Sequence, residues 1–322
     1  MHLLTRIDAA RCAGGRGPPP GRPPRPAPAP AGSRPAGPRR GRMAAVPGEL
    51  KVLTARHVRE LRALVDRDPV AHCFVAARLA DPMDPWSLGG QIWGWFEDGR
   101  LRSALYTGAN LIPIETTPVA RANLADHARR LGRRCSSLVG PADEVLDLWR
   151  LLAPAWGPAR EVRDTQHLMA THAPAQVLGH PGLRPLRSDE LDLLMPAAIA
   201  MFTEEVGVSP VAHGAGPSYR ARLAELIRAG RALAVVEDHR ILFKAEIGSA
   251  TQHVCQVQGV WVDPALRGRG LGEAGMAAVV EHSQAHVAPV VSLYVNDFNA
   301  SAVAAYRRVG FETVGTFATV LF

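Results

Sequence analysis

The sequence is poor in lysine and cysteine, and it lacks any long apolar run. Only Lys51 and Lys244 stand beside 35 arginines, a bias that indicates a GC-rich genome rather than a chemical demand for guanidinium groups. The 4 cysteines are far apart and form no C-x-x-C pair, so neither a disulfide framework nor a zinc site is predicted. No apolar stretch approaches the roughly 18–20 residues that span a bilayer, and no transmembrane helix is expected.

The positive charge of the chain is concentrated at its start. The net charge of all 322 residues is +7, but residues 1–42 alone contain 9 arginines and a single acid, Asp8. The other 280 residues therefore carry a net charge of −1. Because this part of the chain is near neutral, the composition argues against nucleic acid as a partner, and binding through the basic segment is a third-ranked alternative.

Residues 1–42 also contain 10 prolines and 7 glycines, and this composition predicts a disordered segment. The first ten residues lack the apolar stretch of about 7–15 residues that a secretory signal needs, and a cytoplasmic protein with buried thiols is expected. An Arg-rich transit peptide is a lower-ranked alternative. Translation from Met43 is a further alternative, in which the segment would not be made.

Beyond residue 48 the pattern of apolar residues predicts two similar α/β domains, at about 48–172 and 183–322, joined by a linker over 171–182. The second copy is predicted as β-α-α-β-β-β-α-β-α-β-β, with Ser188 capping its first helix and two short strands ending the chain. The first copy repeats much of that order, and its hairpin turn EDGR echoes the turn EDHR of the second copy.

The stretch VWVDPALRGRGLGEAG is the strongest chemical signal. A strand predicted over 254–262 leads into the pattern R-x-x-G-x-G, which opens a helix. Glycines let the backbone curl so that several N–H groups face one point, and the helix N-terminus adds partial positive charge. We therefore expect a pyrophosphate-binding loop, to which Arg267 and Arg269 contribute charge.

Other interpretations of the loop are weaker. Residues 270–275 fit the dinucleotide pattern G-x-G-x-x-G, but five residues separate them from the strand and few strands remain after them. The G-K-[ST] of a Walker A loop is absent. A glycine-rich helix start without a ligand is the third interpretation.

A second motif, YVNDFNASAVAAYRRVGF, follows the next predicted strand. Asn299 is predicted to cap a helix, and Tyr306 lies two helical turns further, about 10 Å along the same face. Gly310 is the expected end of that helix. A half-buried packing role is the alternative for Tyr306 taken alone.

Together these two motifs resemble the GNAT N-acetyltransferase superfamily, in its two-domain actinobacterial type whose N-terminal domain has no assigned function. The resemblance covers about 183–322 and implies tandem α/β (α+β) domains, each with a mixed, mostly antiparallel sheet flanked by helices. It implies acetyl-CoA as co-substrate, direct attack by an amine in a ternary complex, and no metal. The residues that it assigns to acetyl-CoA are Val260, Trp261, Val262, Arg267, Gly268, Arg269, Gly270, Leu271, Gly272, Glu273, Asn299 and Tyr306.

Within this resemblance Tyr306 is the general acid for the departing thiolate, and a backbone N–H near Val260 can hold the oxyanion. The base is open. Glu246 and Glu204 are the leading candidates, Glu205 and His253 are others, and a water relay needs none of them.

The resemblance predicts different roles for the two domains. The first domain lacks the glycine loop, and Trp149 falls near the position of Tyr306, so a domain without cofactor binding is expected. The acceptor is open among small amines, aminoglycoside-like compounds, amino-acid metabolites, thiol-precursor amines and protein amines. A non-catalytic acyl-CoA-binding sensor is the alternative to the enzyme.

Overall fold

The computed structural model describes residues 48–79 and 89–322. The predictions for residues 1–42 lie outside the described residues. The described part is a mixed α/β fold of one sheet and eight α-helices, which confirms the predicted fold class. No helix within these ranges has the length and apolar character to cross a membrane.

The first half of the chain alternates strands and helices as predicted, with one strand that the sequence did not identify. Its elements are β1 Gly48–Val52, α1 Val58–Val65, α2 Cys73–Leu79, β2 Gln91–Glu97, β3 Arg100–Thr107, β4 Asn110–Ile114, α3 Pro118–Leu131, β5 Ser137–Pro141, α4 Ala142–Trp156 and β6 Glu161–Thr171. The unidentified strand is β4, a short buried segment whose Pro113 lowers its strand signal.

The second half follows the same plan. Its elements are β7 Leu183–Pro185, α5 Leu191–Val206, α6 Gly216–Arg228, β8 Ala232–Glu237, β9 Arg240–Ala250, β10 Val254–Val262, α7 Leu271–His286, β11 Val290–Asn296, α8 Ala300–Val309 and β12 Glu312–Leu321. Short 3-10 turns precede α1, α5, α6 and α7.

All twelve strands of the described chain join one sheet, in the order β1-β2-β3-β4-β5-β12-β6-β11-β10-β9-β8-β7. The order is symmetric about its centre. Strands β1 to β6 of the first half correspond in turn to β7 to β12 of the second, and each strand lies as far from one edge of the sheet as its counterpart lies from the other. The two halves exchange their last strands, because β6 pairs with β11 and β12 pairs with β5. The predicted boundaries at 172 and 183 therefore divide the chain but not the sheet.

The helices cover both faces of the sheet in each half. In the second half α7 and α8 pack on one face, around Phe243, Ile247 and Leu293. Helices α5 and α6 pack on the other face, around Leu194, Leu223 and Ala234. The first half repeats the arrangement, with α1 and α2 on one face and α3 and α4 on the other. Burial of both faces explains why the strands have near-continuous apolar runs.

Two details of the predicted elements are wrong. The chain ends in one strand, β12, rather than two, because pairing with β5 and β6 carries it through the irregularities near Gly315. Ser188 does not cap α5. It begins a 3-10 turn, and the backbone N–H of Arg187 donates instead to Glu190 Oε2 at 2.8 Å, while Arg184 forms an ion pair with the same carboxylate.

Candidate functional site

The parallel strands β10 and β11 separate along their length. Their ladder joins Val254–Gln256 to Val290–Ser292 and extends no further. On its other side β10 stays paired with β9, with an irregularity between Gln258 and Trp261. The remainder of β10 therefore faces an opening with backbone groups that the neighbouring strand does not use.

Gly259 makes this irregularity sterically allowed. Its φ of +60° lies in the left-handed region that favours glycine. A side chain there would also place its Cβ 3.1 Å from the carboxylate of Glu246 and 3.2 Å from Lys244 Nζ. The bulge and the close approach of these charged groups thus depend on the same residue.

The glycine loop between β10 and α7 forms an open cradle. Gly268 and Gly270 have φ of +73° and +82°, and no atom lies within 4 Å of where either Cβ would be. Gly270 is the N-cap of α7, so the first N–H groups of that helix face this space. Because a side chain would fill the cradle, the loop fits a bound anion such as a pyrophosphate.

The charged residues of the loop have separate roles in the structure. Arg267 donates to the carbonyl of Val262 at 3.1 Å and forms a 2.8 Å ion pair with Glu204. Glu273, in the first turn of α7, forms an ion pair with Arg308 of α8. Glu204 therefore braces the loop, and its charge is not among those that shift the pKa of Tyr306. Arg269 is exposed, and no described residue contacts its charge.

Tyr306 lies on α8 as the motif predicted. The Asn299 side chain caps this helix by accepting from the Ala302 N–H at 3.3 Å, and Gly310 ends it. The Tyr306 ring is buried and packs on Phe311, with ring centroids 5.9 Å apart. No hydrogen bond joins its hydroxyl to another residue of 48–79 or 89–322. Burial, with a smaller contribution from the Glu205 charge, raises the pKa of Tyr306 above its ordinary value, so the hydroxyl stays protonated.

Glu246 is fully buried on β9. Its Oε1 accepts from Lys244 Nζ at 2.6 Å and its Oε2 accepts from Gln258 Nε2 at 3.3 Å. Burial opposes ionisation, but the charge and hydrogen bond of Lys244 lower the pKa of Glu246 below its ordinary value. Both oxygens are thus occupied, and the carboxylate is held in its charged form.

Glu205, the neighbour of Glu204, is the carboxylate that the fold brings towards Tyr306. Its charge raises the pKa of Tyr306 after burial, and also that of the half-buried Tyr294 on β11. Glu205 Oε1 accepts from Arg163 Nη1 at 2.5 Å and from Asn296 Nδ2 at 3.3 Å. From the sequence Glu205 is only one of several candidate acids. Its partner Arg163 lies on β6 of the other half, so the sequence near Glu205 does not indicate their contact.

The other predicted residues lie where the strand places them. Val260 and Val262 pack towards α7, and Trp261 packs on the opposite face against α5. His253 lies in the turn before β10, where the two strands are paired, and so at the closed end of the opening. No group of three or more His, Cys, Asp or Glu residues in the described ranges is arranged to hold a metal ion.

Two family profiles match the chain. The Acetyltransferase (GNAT) family matches residues 204–311, which include the opening, the glycine loop and Tyr306. A domain of unknown function, DUF4081, matches residues 90–194. The boundary between them falls within α5, so the profiles divide the chain close to the junction of the two halves.

Curated relatives resemble a short segment. The mycothiol acetyltransferase of Saccharomonospora viridis is 46% identical over 63 residues, which are 20% of this chain and 21% of that protein. The mycothiol acetyltransferase of Corynebacterium glutamicum is 43% identical over 63 residues, or 19% of this chain and 22% of its own length. The match thus spans about a fifth of the relatives' length.

Solved structures share the fold over most of the chain. A tandem GNAT protein from the clavulanic acid biosynthesis pathway has a TM-score of 0.51 at 18% identity, covering 85% of this chain and 98% of that one. A GNAT-family acetyltransferase from Colwellia psychrerythraea has a TM-score of 0.54 at 11% identity, covering 85% and 99%. At such identities the likeness concerns the fold alone.

Proposed function

We propose that this protein transfers an acetyl group from acetyl-CoA to an amine, because residues 204–311 match the Acetyltransferase (GNAT) family. The observation that supports this most is the separation of β10 from β11 directly beside the open glycine loop. An acyl-CoA has an amide-containing arm, which can pair with a free strand edge, and a pyrophosphate, which can bind at the open loop beside that edge.

The residues that would hold acetyl-CoA follow from this geometry. The backbone of Val260–Val262 would pair with the pantetheine amides as an added strand does, and the first turn of α7 from Gly270 would bind the pyrophosphate. Arg269 is exposed and free to approach the phosphates. Asn299 would contact the arm at the start of α8. Acetyl-CoA supplies an acetyl group on a thioester, whose leaving group is a thiolate.

Tyr306 would donate the proton that this thiolate takes up. Its raised pKa keeps the hydroxyl protonated before the reaction, and the departing thiolate, whose conjugate thiol has an ordinary pKa near 8.5, is the group that would take up the proton as the C–S bond breaks. A backbone N–H at the β10 bulge, near Val260, would donate to the carbonyl oxygen as negative charge develops on it.

For the base we propose Glu205 in preference to the predicted Glu246 and Glu204. Glu205 is 40% exposed, and its charge reaches the Tyr306 side of the opening. Glu246 uses both oxygens within a buried cluster; Glu204 and Glu205 each form an ion pair, with Arg267 and Arg163, but it is the charge of Glu205 that acts on Tyr306. Glu205 would accept the amine proton directly or through one water.

The proposal is tested by calorimetric binding of CoA to the full chain and to Gly270→Asp. The aspartate places a side chain and a negative charge in the cradle, and we expect binding to be abolished. Gly230→Asp is the matched control, because Gly230 also has a positive φ, of +66°, with no atom within 4 Å of its Cβ position. Equal binding by Gly270→Asp and Gly230→Asp would refute the proposed site.

Turnover is tested separately by release of CoA from acetyl-CoA with a panel of amines. CoA release that depends on an amine supports the enzyme. Tight CoA binding without release with any amine supports the acyl-CoA-binding sensor instead.

A further inference from the structure

A cluster of polar side chains lies on the α5 and α6 face of the sheet, beside the opening. Lys244 and Glu246 of β9 are fully buried, and Gln258 of β10 is 9% exposed. Trp261 of β10 is paired across the ladder with Lys244, as Gln258 is with Glu246. The charge of Arg222, on α6, also acts on this cluster, since it contributes to the lowered pKa of Glu246.

Several atoms of this cluster are buried without a hydrogen-bonding partner in the described chain. They are Nε and Nη2 of Arg222, Oε1 of Gln258 and Nε1 of Trp261. A buried polar atom left without a partner costs about 1–3 kcal/mol, and more when the group is charged. Four such atoms on α6 and the adjoining part of β10 indicate a place where a ligand completes the hydrogen bonds.

Arg222 and Trp261 are only half-buried as whole residues, whereas these atoms are covered. The side chains therefore border the surface, which leaves a route for a ligand to reach them. The unpartnered set contains three N–H donors and one carbonyl acceptor, so the complementary ligand has mainly acceptor oxygens.

The charge of the cluster is also incomplete. Glu246 is shared between Lys244 and Gln258, and it forms no ion pair with Arg222. Arg78 of α2, from the first half, lies near enough that the positive charge of Arg222, after burial, helps to lower its pKa to about 10. The charges of Lys244 and Arg222 thus both act on the Glu246 carboxylate, but only Lys244 forms an ion pair with it, in a region where an unpaired buried charge is costly.

We propose that Arg222 and Trp261 bind an anionic group, a carboxylate or a phosphate, carried by the acceptor amine. A planar guanidinium suits both groups, because each presents two oxygens to its N–H donors. Gln258 Oε1 would accept from an N–H or O–H of the same acceptor. This substrate class rests on the proposed acetyltransferase function, but the binding site itself does not require turnover.

The test uses matched pairs of amines and the full chain. β-Alanine is compared with β-alaninamide for the carboxylate, and O-phosphoethanolamine with ethanolamine for the phosphate. Binding is measured by calorimetry without acetyl-CoA, and acetyl transfer is then measured with it. We expect the anionic member of at least one pair to bind about 10- to 100-fold more tightly, as a buried charged hydrogen bond would give.

Arg222→Gln is expected to remove that preference, and Arg222→Lys to keep part of it. Arg220→Gln is the control on the same helix, because Arg220 is exposed and pairs with Asp192, so the preference should persist. If Arg222→Gln does not fold, the comparison of Arg222→Lys with wild type still decides the point: a preference that is unchanged contradicts the proposal.

The outcomes separate the two proposals. An anion preference that depends on Arg222, without acetyl transfer, supports the anion site and refutes the acetyltransferase. Acetyl transfer to charged and neutral amines alike refutes the anion site and leaves the acetyltransferase. Absence of binding by every member of the panel also refutes the anion site.

Discussion

The two halves of the sheet open in the same way and then differ at the helix that follows. The strands β4 and β5 are parallel and paired only at Asn110–Leu111 with Ser137–Leu138, as β10 and β11 are at their own start. In the second half a loop with Gly268 and Gly270 then leads into α7 and leaves an open cradle. In the first half the connection from β4 to α3 is only 115–117.

The corresponding space in the first half is occupied by its own side chains. The backbone N–H of Thr116 donates to Glu144 Oε2 at 2.6 Å, and Arg121 donates to the carbonyl of Thr116. Thr117 caps α3, and Pro118 at its start has no N–H to offer. Burial raises the pKa of Glu144, a carboxylate standing where an anion would otherwise bind.

If the proposed site is correct, the comparison indicates that an opened pair of strands is not by itself enough to bind a cofactor. Loop length, glycine and free helix N–H groups decide whether an anion can bind, and a shortened loop with one carboxylate removes all three. The first half also lacks the hydroxyl of Tyr306. Its counterpart, Trp149, packs on Phe322 in an apolar cluster. These differences support a first half without cofactor binding.

The largest expected difference between the two halves is in turnover, when the ring at the Tyr306 position and its counterpart Trp149 are each changed to phenylalanine. Tyr306→Phe removes only the hydroxyl and keeps the ring contact with Phe311, so stability and acetyl-CoA binding should hardly change. Both kcat and kcat/KM should fall about 10²- to 10⁴-fold, because the proton is donated in the transition state. Trp149→Phe, the counterpart in the first half, should leave both constants unchanged. Near wild-type turnover by Tyr306→Phe over pH 6–9 would make Tyr306 a packing residue.

A smaller loss of turnover would show that the first half serves the second. Arg163→Ala removes the ion pair that holds Glu205 across the exchanged strand, and we expect kcat to fall about 10-fold with a small change in KM. Glu205→Gln should lower kcat further and change its pH profile. Arg150→Ala, at an exposed ion pair with Asp147 in the first half, is the control. A pH–rate profile that is identical in Glu205→Gln and wild type would exclude Glu205 as the base.

The contact of Glu144 with Thr116 in the first half can be tested by measuring the free energy of unfolding. Glu144→Ala should destabilise the protein by about 1–3 kcal/mol in urea, because it leaves the buried Thr116 N–H without an acceptor. The neighbouring Asp143 is exposed, so Asp143→Ala should change the urea midpoint very little. If both variants unfold alike, the carboxylate contributes nothing specific and the comparison loses this support. CoA binding should be unaffected in either variant.

The smallest effect concerns the turn that starts each half's first helix. In the second half, hydrogen bonding by Arg184 lowers the pKa of Glu190 to about 2, whereas the first half uses His57, whose Nδ1 accepts from the Thr54 N–H at 2.9 Å. A lowered carboxyl pKa stabilises the fold at neutral pH, and that stability is lost as pH falls from about 4.5 to about 2. Glu190→Gln should cost about 1 kcal/mol at pH 7 and little at pH 2. Equal losses at both pH values would contradict this.

Local features of the sequence were predicted well because their causes are local. The strand before the glycine loop, the Asn299 cap and the Gly310 stop each depend on residues within a few positions of one another. The cap at Ser188 was assigned wrongly because a 3-10 turn over 188–190 precedes the helix, and the Glu190 carboxylate, paired with Arg184, holds the start of that turn by accepting from the Arg187 N–H.

Contacts between distant segments were not predicted. Lys244 and Glu246 read as alternate residues of a strand, and nothing in FKAEIG shows that both are buried as an ion pair. The bond of Glu205 to Arg163 joins segments 42 residues apart through a strand that has changed halves. The alternation of apolar residues shows which side of a strand each residue lies on, but it does not show which strands become neighbours in the sheet.

The sequence by itself determined the alternation of strands and helices, the glycine loop at Arg267–Gly272 and the spacing of Asn299 and Tyr306, because backbone propensity and glycine conformation act over a few residues. Only the tertiary structure decided that β6 and β12 are exchanged, that the charge of Glu205 rather than Glu204 acts on Tyr306, and that polar atoms of Arg222 are buried without a partner in the described chain. Those arrangements depend on which strands become neighbours in a twelve-stranded sheet, and the free energy of that choice is spread over the packing of the whole chain.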